Sequence, residues 1–298
     1  MTVVRPGVHT SLQDLGRFGC TRYGMSQGGA VDLHAHAWAN KLLENPAHCA
    51  TLEITIGMAR FLAEADLQLA ITGADMQARV NDSPVGNWCS FSIKRGQSLT
   101  LKAASRGMRA YLAVQGGVHA VPVLGSVSTV VRNQLGSLLA EGDFLSADVC
   151  KPGSARHVPA RYIPQYSDEI ELRVIESGQV ADFSPEALRQ FYGSVYTVTQ
   201  DCDRMGVRLE GNPIPSTTGG VISEGIALGA VQIPADGQPI ILLNDRQTLG
   251  GYPKPGCIAR IDLPRLAQAR PGTRIRFSSI SLAEARRQWQ AFRRFMLD

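Results

Sequence analysis

Mainly β, with a few helices and two successive units, is the fold class the sequence predicts, and three observations predict it. A chain of 298 residues that is 44% hydrophobic and 19% charged can bury a large core and is too apolar for a disordered or collagen-like polymer. Thirty glycines and sixteen prolines punctuate it into short windows in which apolar and polar residues alternate with the two-residue period of half-buried strands. The stretch KPGSARHVPARYIP at 151–164 carries three prolines and no apolar period. It marks a boundary between an N-terminal strand-rich unit at 1–155 and a second unit at 156–298.

The elements follow in chain order. Asp32 supplies an N-cap for a helix that runs to about Leu43. Alternation predicts strands over 51–62, 66–72, 91–93, 98–102 and 108–115, with Asn81-Asp82-Ser83-Pro84 and Lys94-Arg95-Gly96-Gln97 as turns between them. A second series of strands runs through 169–175, 194–199, 206–210, 229–233 and 238–243, and 273–277 closes it. Asp236-Gly237 has the chemistry of a hairpin turn. Ser184-Pro185 opens a short helix by its N-cap and N1 preferences, and Ser281 with Glu284 forms a capping box for a C-terminal helix. That last helix carries Trp289, Phe292 and Met296 at spacings of three and four, so it docks one face.

Composition removes several function classes. Thirty basic against 26 acidic residues leave a net charge of +4, too mild and too scattered for a nucleic-acid footprint. Arg dominates Lys, 25 to 5, which suits planar recognition of carboxylate or phosphate but equally reflects codon bias. The six cysteines show no CxxC spacing, so neither a zinc site nor a disulfide framework is expected. The N-terminus lacks the apolar core of a signal peptide, and no apolar run approaches a membrane span, so a cytoplasmic location is expected.

Motif chemistry is sparse in the same way. Neither GxxxxGK[ST] nor a helix-opening GxGxxG occurs, and GxSxG is absent. The pairs Gly28-Gly29, Gly116-Gly117, Gly219-Gly220 and Gly250-Gly251 read as tight turns. His34 and His36 form an HxH, but in a helix these positions diverge, so two partly exposed helix histidines are expected and no metal site. Charge and glycine concentrate in two segments, Asp201 to Gly211 and Asn244 to Lys254, each following an expected strand. In the first half, Asp14 and Glu53 are carboxylates for which Arg17 is the expected partner.

Longer motifs then carry a resemblance. RPGVHTSLQDLGRFG, GGAVD, TLEIT, ITGAD, RAYLAVQGG and VLGS in the first half, and DRMGVRLEG, ISEGI, the Gln232–Ile240 stretch QIPADGQPI and DRQTLGGYPK in the second, resemble the family of the 5-oxoprolinase C subunit. The same family takes in the second component of so-called allophanate hydrolase, the antagonist of a histidine-kinase inhibitor, and the carboxyltransferase part of urea carboxylase. Cys202, Leu249 and His119 depart from its pattern, where Ser, Thr and an acidic residue are usual.

The resemblance implies a cyclophilin-like β-barrel in the C-terminal half. It also implies a cytoplasmic heteromeric complex, in which partners of the B and A types join this chain to open 5-oxoproline to L-glutamate. ATP is the implied co-substrate, with or without Mg, and no biotin is attached to this chain because it has no Met-Lys-Met. Within that frame Arg204, Arg246 and Lys254 are expected to clamp an anion, and Asp203, Glu224 and Asp245 to move protons or orient ligand. Gly206, Gln247, Thr248, Gly250, Gly251 and Tyr252 are the expected substrate-binding residues, with Asp14, Arg17 and Glu53 in a second tier. Two alternatives remain: the carboxyltransferase component of a biotin-dependent urea or amide carboxylase, and a regulator that binds a kinase-inhibitor partner.

Overall fold

The computed structural model describes residues 1–148, 150, 153–217 and 220–298. Lys151 and Pro152 of the expected boundary stretch, and Gly219 of one glycine pair, lie outside the described residues. The first structural unit comprises Met1–Arg17, Gly28–Tyr166 and Met296–Asp298, and the second comprises Phe18–Gln27 and Ser167–Phe295. The division thus falls at Tyr166/Ser167 and not at 155/156. Residues beyond 155 remain stitched to the first unit: Ser90 N donates to Arg156 O at 2.8 Å and Val158 N to Trp88 O at 2.9 Å. The Tyr162 ring lies 5.3 Å from that of Trp38.

In the first unit the strands are β1 (Thr2–Arg5), β2 (His9–Gln13), β3 (Thr51–Thr55), β4 (Arg60–Leu62), β5 (Leu67–Gly73), β6 (Arg79–Val80), β7 (Ser83–Pro84), β8 (Cys89–Ile93), β9 (Ser98–Thr100) and β10 (Arg109–Val114). They form two sheets of five, ordered β1-β4-β9-β6-β7 and β2-β3-β10-β5-β8. Leu52, Ile54, Phe61, Leu69, Ile71, Leu99 and Leu112 share one buried core. Helix α1 (Leu33–Leu42) starts where expected, with the Asp32 carboxylate accepting from Ala35 N at 2.9 Å.

Two expectations change here. The single strand expected over 51–62 is two strands that join different sheets, β3 beside β10 and β4 beside β1. Ile56, Gly57 and Met58 all adopt positive φ, at 68°, 104° and 61°, which breaks the extended backbone and turns the chain between sheets. His34 is partly exposed as expected, but His36 is not. His36 is fully buried, its Nδ1 2.9 Å from Thr51 Oγ1 and its Nε2 3.1 Å from Ala47 O, and half-buried His34 accepts at Nε2 from Trp38 Nε1 at 3.2 Å. The strands β1 and β2 were not expected.

The second unit contains β11 (Glu169–Glu176), α2 (Pro185–Gly193), β12 (Val195–Cys202), β13 (Gly206–Glu210), β14 (Glu224–Gly225), β15 (Ala230–Gln232), β16 (Ile240–Leu242), β17 (Leu249–Gly250), β18 (Gly256–Ile258), α3 (Leu263–Ala267), β19 (Arg274–Ser279) and α4 (Leu282–Met296). Among the described residues seven strands close a barrel in the order β11-β18-β15-β16-β13-β12-β19, with β19 returning to pair in parallel with β11. Alternate residues such as Leu172 and Val174, Tyr196 and Val198, Val207 and Leu209, and Ile275 and Phe277 are buried, the pattern that made these strands legible. Gly237 takes φ +73° in the β15–β16 hairpin, and its N–H donates to Pro234 O at 2.9 Å. The α2 cap is as expected, Ser184 Oγ accepting from Ala187 N. No helix among the described residues is long and apolar enough to cross a membrane.

Candidate functional site

Two loops of the second unit meet at one end of β13 and β16. The first leaves β12 at Cys202, and the second leaves β16 after Leu242. Backbone bonds tie them, Leu243 N donating to Met205 O and Asp245 N to Arg204 O, both at 2.8 Å. A side-chain clasp completes the junction: Arg204 Nε and Nη2 donate to the two oxygens of Asp245, each at 2.9 Å. Both residues are only 7% exposed, so this fork-to-fork pair works in a medium where it is strong and where neither charge tolerates losing the other. Ser26 anchors the second loop from a distant part of the chain, its hydroxyl lying 2.8 Å from Arg246 O and 3.2 Å from Asp245 O.

The other expected site residues fall into distinct environments. Arg246 is buried and donates from Nε to Ile226 O at 3.0 Å. Burial presses its pKa below the ordinary value, with nearby Arg260 adding to that and Cys257 opposing it. Lys254 Nζ lies 2.8 Å from Glu224 Oε1. The ammonium holds the Glu224 carboxyl below the usual carboxylate range by its hydrogen bond and charge. Gln179 braces this pair, donating to Glu224 Oε1 at 2.8 Å and accepting from Lys254 N at 3.1 Å. Asp203 is exposed, and its Oδ1 accepts from Met205 N at 2.7 Å and Gly206 N at 3.1 Å, an Asx turn that shapes the first loop.

A cleft of about 520 Å³ opens between these loops. Asp203, Gly206, Gln247 and Tyr252 of the expected set line it, together with Gln200, Asp201, Cys202, Met205, Arg208, Gln232, Ile240 and Leu242. Its walls combine apolar side chains with three glutamine amides, and its acids outnumber its one cation, Arg208, which is paired with Asp236. Arg204, Arg246 and Lys254 do not line this cleft: their cations are set on Asp245, backbone carbonyls and Glu224. Gly250 and Gly251 make room for the protein itself. A Cβ on Gly250 would stand 2.4 Å from Ile226 Cδ1 and 2.7 Å from Gln232 Nε2, and one on Gly251 2.7 Å from Val221 O. Thr248 contributes its carbonyl, which accepts from Ile226 N.

The second-tier residues lie in the first unit. Arg17 is not the partner of Asp14. The Asp14 carboxylate accepts from Ser126 Oγ at 2.6 Å, Ser128 Oγ at 2.5 Å, Gly16 N at 2.7 Å and Val127 N at 2.8 Å. Burial alone would raise its pKa, but these hydrogen bonds outweigh it and the net shift is downward. Arg17 Nη2 donates to Ser128 O at 2.6 Å. Glu53 is fully buried, takes hydrogen bonds from Tyr111 Oη at 2.7 Å and Val31 N at 3.0 Å, and has Arg109 Nε at 3.7 Å.

Three participants escaped the sequence reading. Ser26 and Gln179 gave no signal, being far in sequence from what they brace. Gln232 did give one, as a polar residue closing an apolar strand inside the QIPADGQPI motif.

Comparison with known proteins fits this architecture. The family described as carboxyltransferase domain, subdomain A and B, matches residues 23–279. The 5-oxoprolinase C subunit of Escherichia coli K12 is 37% identical over 99% of this chain and 96% of its own length. That of Haemophilus influenzae is 34% identical over 92% and 89%. The crystal structure of the Kluyveromyces lactis urea carboxylase superposes with a TM-score of 0.92 at 26% identity, covering 99% of this chain and 28% of that one. With the closed barrel, the motif order and these matches in agreement, the chain belongs to the carboxyltransferase-domain family that includes the C subunit of 5-oxoprolinase.

Proposed function

We propose that this chain is the C subunit of an ATP-dependent 5-oxoprolinase, acting with partners of the A and B types to open 5-oxoproline to L-glutamate. The observation that carries the reading is the nearly end-to-end match, in both directions, to proteins called the C subunit of 5-oxoprolinase. A lactam is a poor electrophile because its nitrogen donates into the carbonyl. Transfer of the γ-phosphoryl group of ATP to the lactam oxygen releases ADP and removes that donation. Water then adds to the same carbon, the ring C–N bond breaks with a proton delivered to nitrogen to leave an acyl phosphate, and a second water cleaves that to the carboxylate and free phosphate. The two-loop cleft holds the ring, the Arg204–Asp245 clasp keeps the loops in register, and buried Lys254, paired with exposed Glu224, is a cation that an incoming anion can recruit by displacing that carboxylate.

Co-expression with the partner proteins tests this. 5-Oxoproline-dependent release of ADP and glutamate is the expected result. Asp245→Asn and Arg246→Ala are expected to lower it by at least about tenfold while the proteins still co-purify. Unchanged turnover in both variants removes these residues from the site. A second reading is favoured by the likeness to the urea carboxylase: a carboxyltransferase half that takes carboxylate from a biotin carried elsewhere. Consumption of carboxybiotin in the presence of urea, with no 5-oxoproline-dependent turnover, decides for it.

A further inference from the structure

Gln232 is 1% exposed, ends β15 and lines the two-loop cleft. Its Nε2 has no hydrogen-bond partner among the described residues. Buried amide donors are nearly always matched, so an unmatched one in the wall of a cleft calls for a reason. The bare Cα of Gly250 leaves the space that this amide occupies, since a Cβ there would stand 2.7 Å from Nε2. The terminal torsion of a glutamine is broad and two-fold, so a half-turn of the carboxamide exchanges which of its two ends faces the cleft.

We infer that Gln232 reads the cis-amide edge of a lactam ring, pairing with the ring's C=O through Nε2–H and with its N–H through Oε1. This rests on the reading of the cleft as the oxoprolinase substrate site. A primary carboxamide presents donor and acceptor side by side. A lactam, locked cis by its ring, presents the complementary pair on one edge. A linear secondary amide is trans, with N–H and C=O on opposite sides, and makes one of the two bonds at most. The charges of the cleft agree with a neutral group at this end. Asp201 and Asp203 stand against Arg208, itself paired with Asp236, so what Gln232 reads is the uncharged amide of the unreacted ring, and the phosphoryl group reaches the carbonyl oxygen at its other lone pair. Met205, Ile240 and Leu242 supply an apolar wall for ring methylenes.

The test uses the chain assembled with its partners and three probes as inhibitors of 5-oxoproline-dependent ADP release. 2-Pyrrolidinone keeps the cis-amide edge without the carboxylate, N-methyl-2-pyrrolidinone blocks the N–H, and N-methylacetamide is the linear trans amide. 2-Pyrrolidinone is expected to compete, and the other two to be weaker by at least about tenfold. Gln232→Glu, which replaces the donor with an oxygen in the same shape, is expected to raise KM at least about tenfold and change kcat less than about threefold. Equal inhibition by the N-methylated ring, or a wild-type KM in Gln232→Glu, overturns the inference. If the assembly shows no 5-oxoproline-dependent turnover, the functional reading fails by itself. The inference is then decided by NMR on the full chain, where 2-pyrrolidinone must shift the side-chain amide signals that Gln232→Glu removes, and their constancy refutes it.

Discussion

His34 and Asp14 show how burial and hydrogen bonding pull single residues in ways their neighbours in sequence do not announce. Burial drives the His34 pKa from 6.5 down to about 4, so the folded protein holds the ring neutral where the unfolded chain would protonate it. The unfolded state then binds more protons between these values. Stability is full above pH 6.5 and falls as pH descends toward 4. Urea midpoints measured across that range are expected to decline in the wild type and to decline less in His34→Gln; parallel curves exclude the ring as the source. Asp14 acts in a lower window, since its depressed pKa places its contribution above 3.8 and removes it below. At this scale the sequence exposed the chemistry and not the partners. Both carboxylates of the N-terminal half were visible, but the Ser126 and Ser128 hydroxyls that serve Asp14 lie over a hundred residues away. Arg109, beside Glu53, sits on a neighbouring strand.

Elements were legible where their determinants are local. Helix α1 with its Asp32 cap, α2 with Ser184-Pro185, and α4 with Ser281 and Glu284 were all anticipated, because a cap and its target lie within three residues. The break between β3 and β4 was not. TLEITIGMARFL alternates through the kink, and what bends it is the close approach of another segment. A Cβ on Gly57 would lie 2.1 Å from Lys102 O, at a φ of +104°. Gly57→Ala is therefore expected to cost more than about 2 kcal/mol, through both the strained backbone and the clash, as a lowered urea midpoint. A loss below about 0.5 kcal/mol shows that Lys102 moves aside freely.

Across the whole molecule, each unit rests on a core of its own, and the barrel's includes stacked rings. Phe277 of β19 lies 4.5 Å from Phe191 of α2, and Tyr196 flanks both. Phe277→Ala is expected to cost about 3–5 kcal/mol. The loss should appear first in the fluorescence of Trp289, which belongs to the barrel unit, and less in Trp38 and Trp88 of the other. Equal shifts at all three mean that the units unfold as one. The family, the strand-rich class, the capped helices and the two charged loops were determined by the sequence alone, because alternation, caps and turn chemistry act over a few neighbouring residues. Tertiary structure decided the closing of seven strands into a barrel, the clasp of Arg204 on Asp245, the bracing by Ser26 and Gln179, and the unmatched amide of Gln232. Those outcomes depend on contacts between residues far apart in the chain, and no local pattern encodes which distant group will fill a given space or satisfy a given charge.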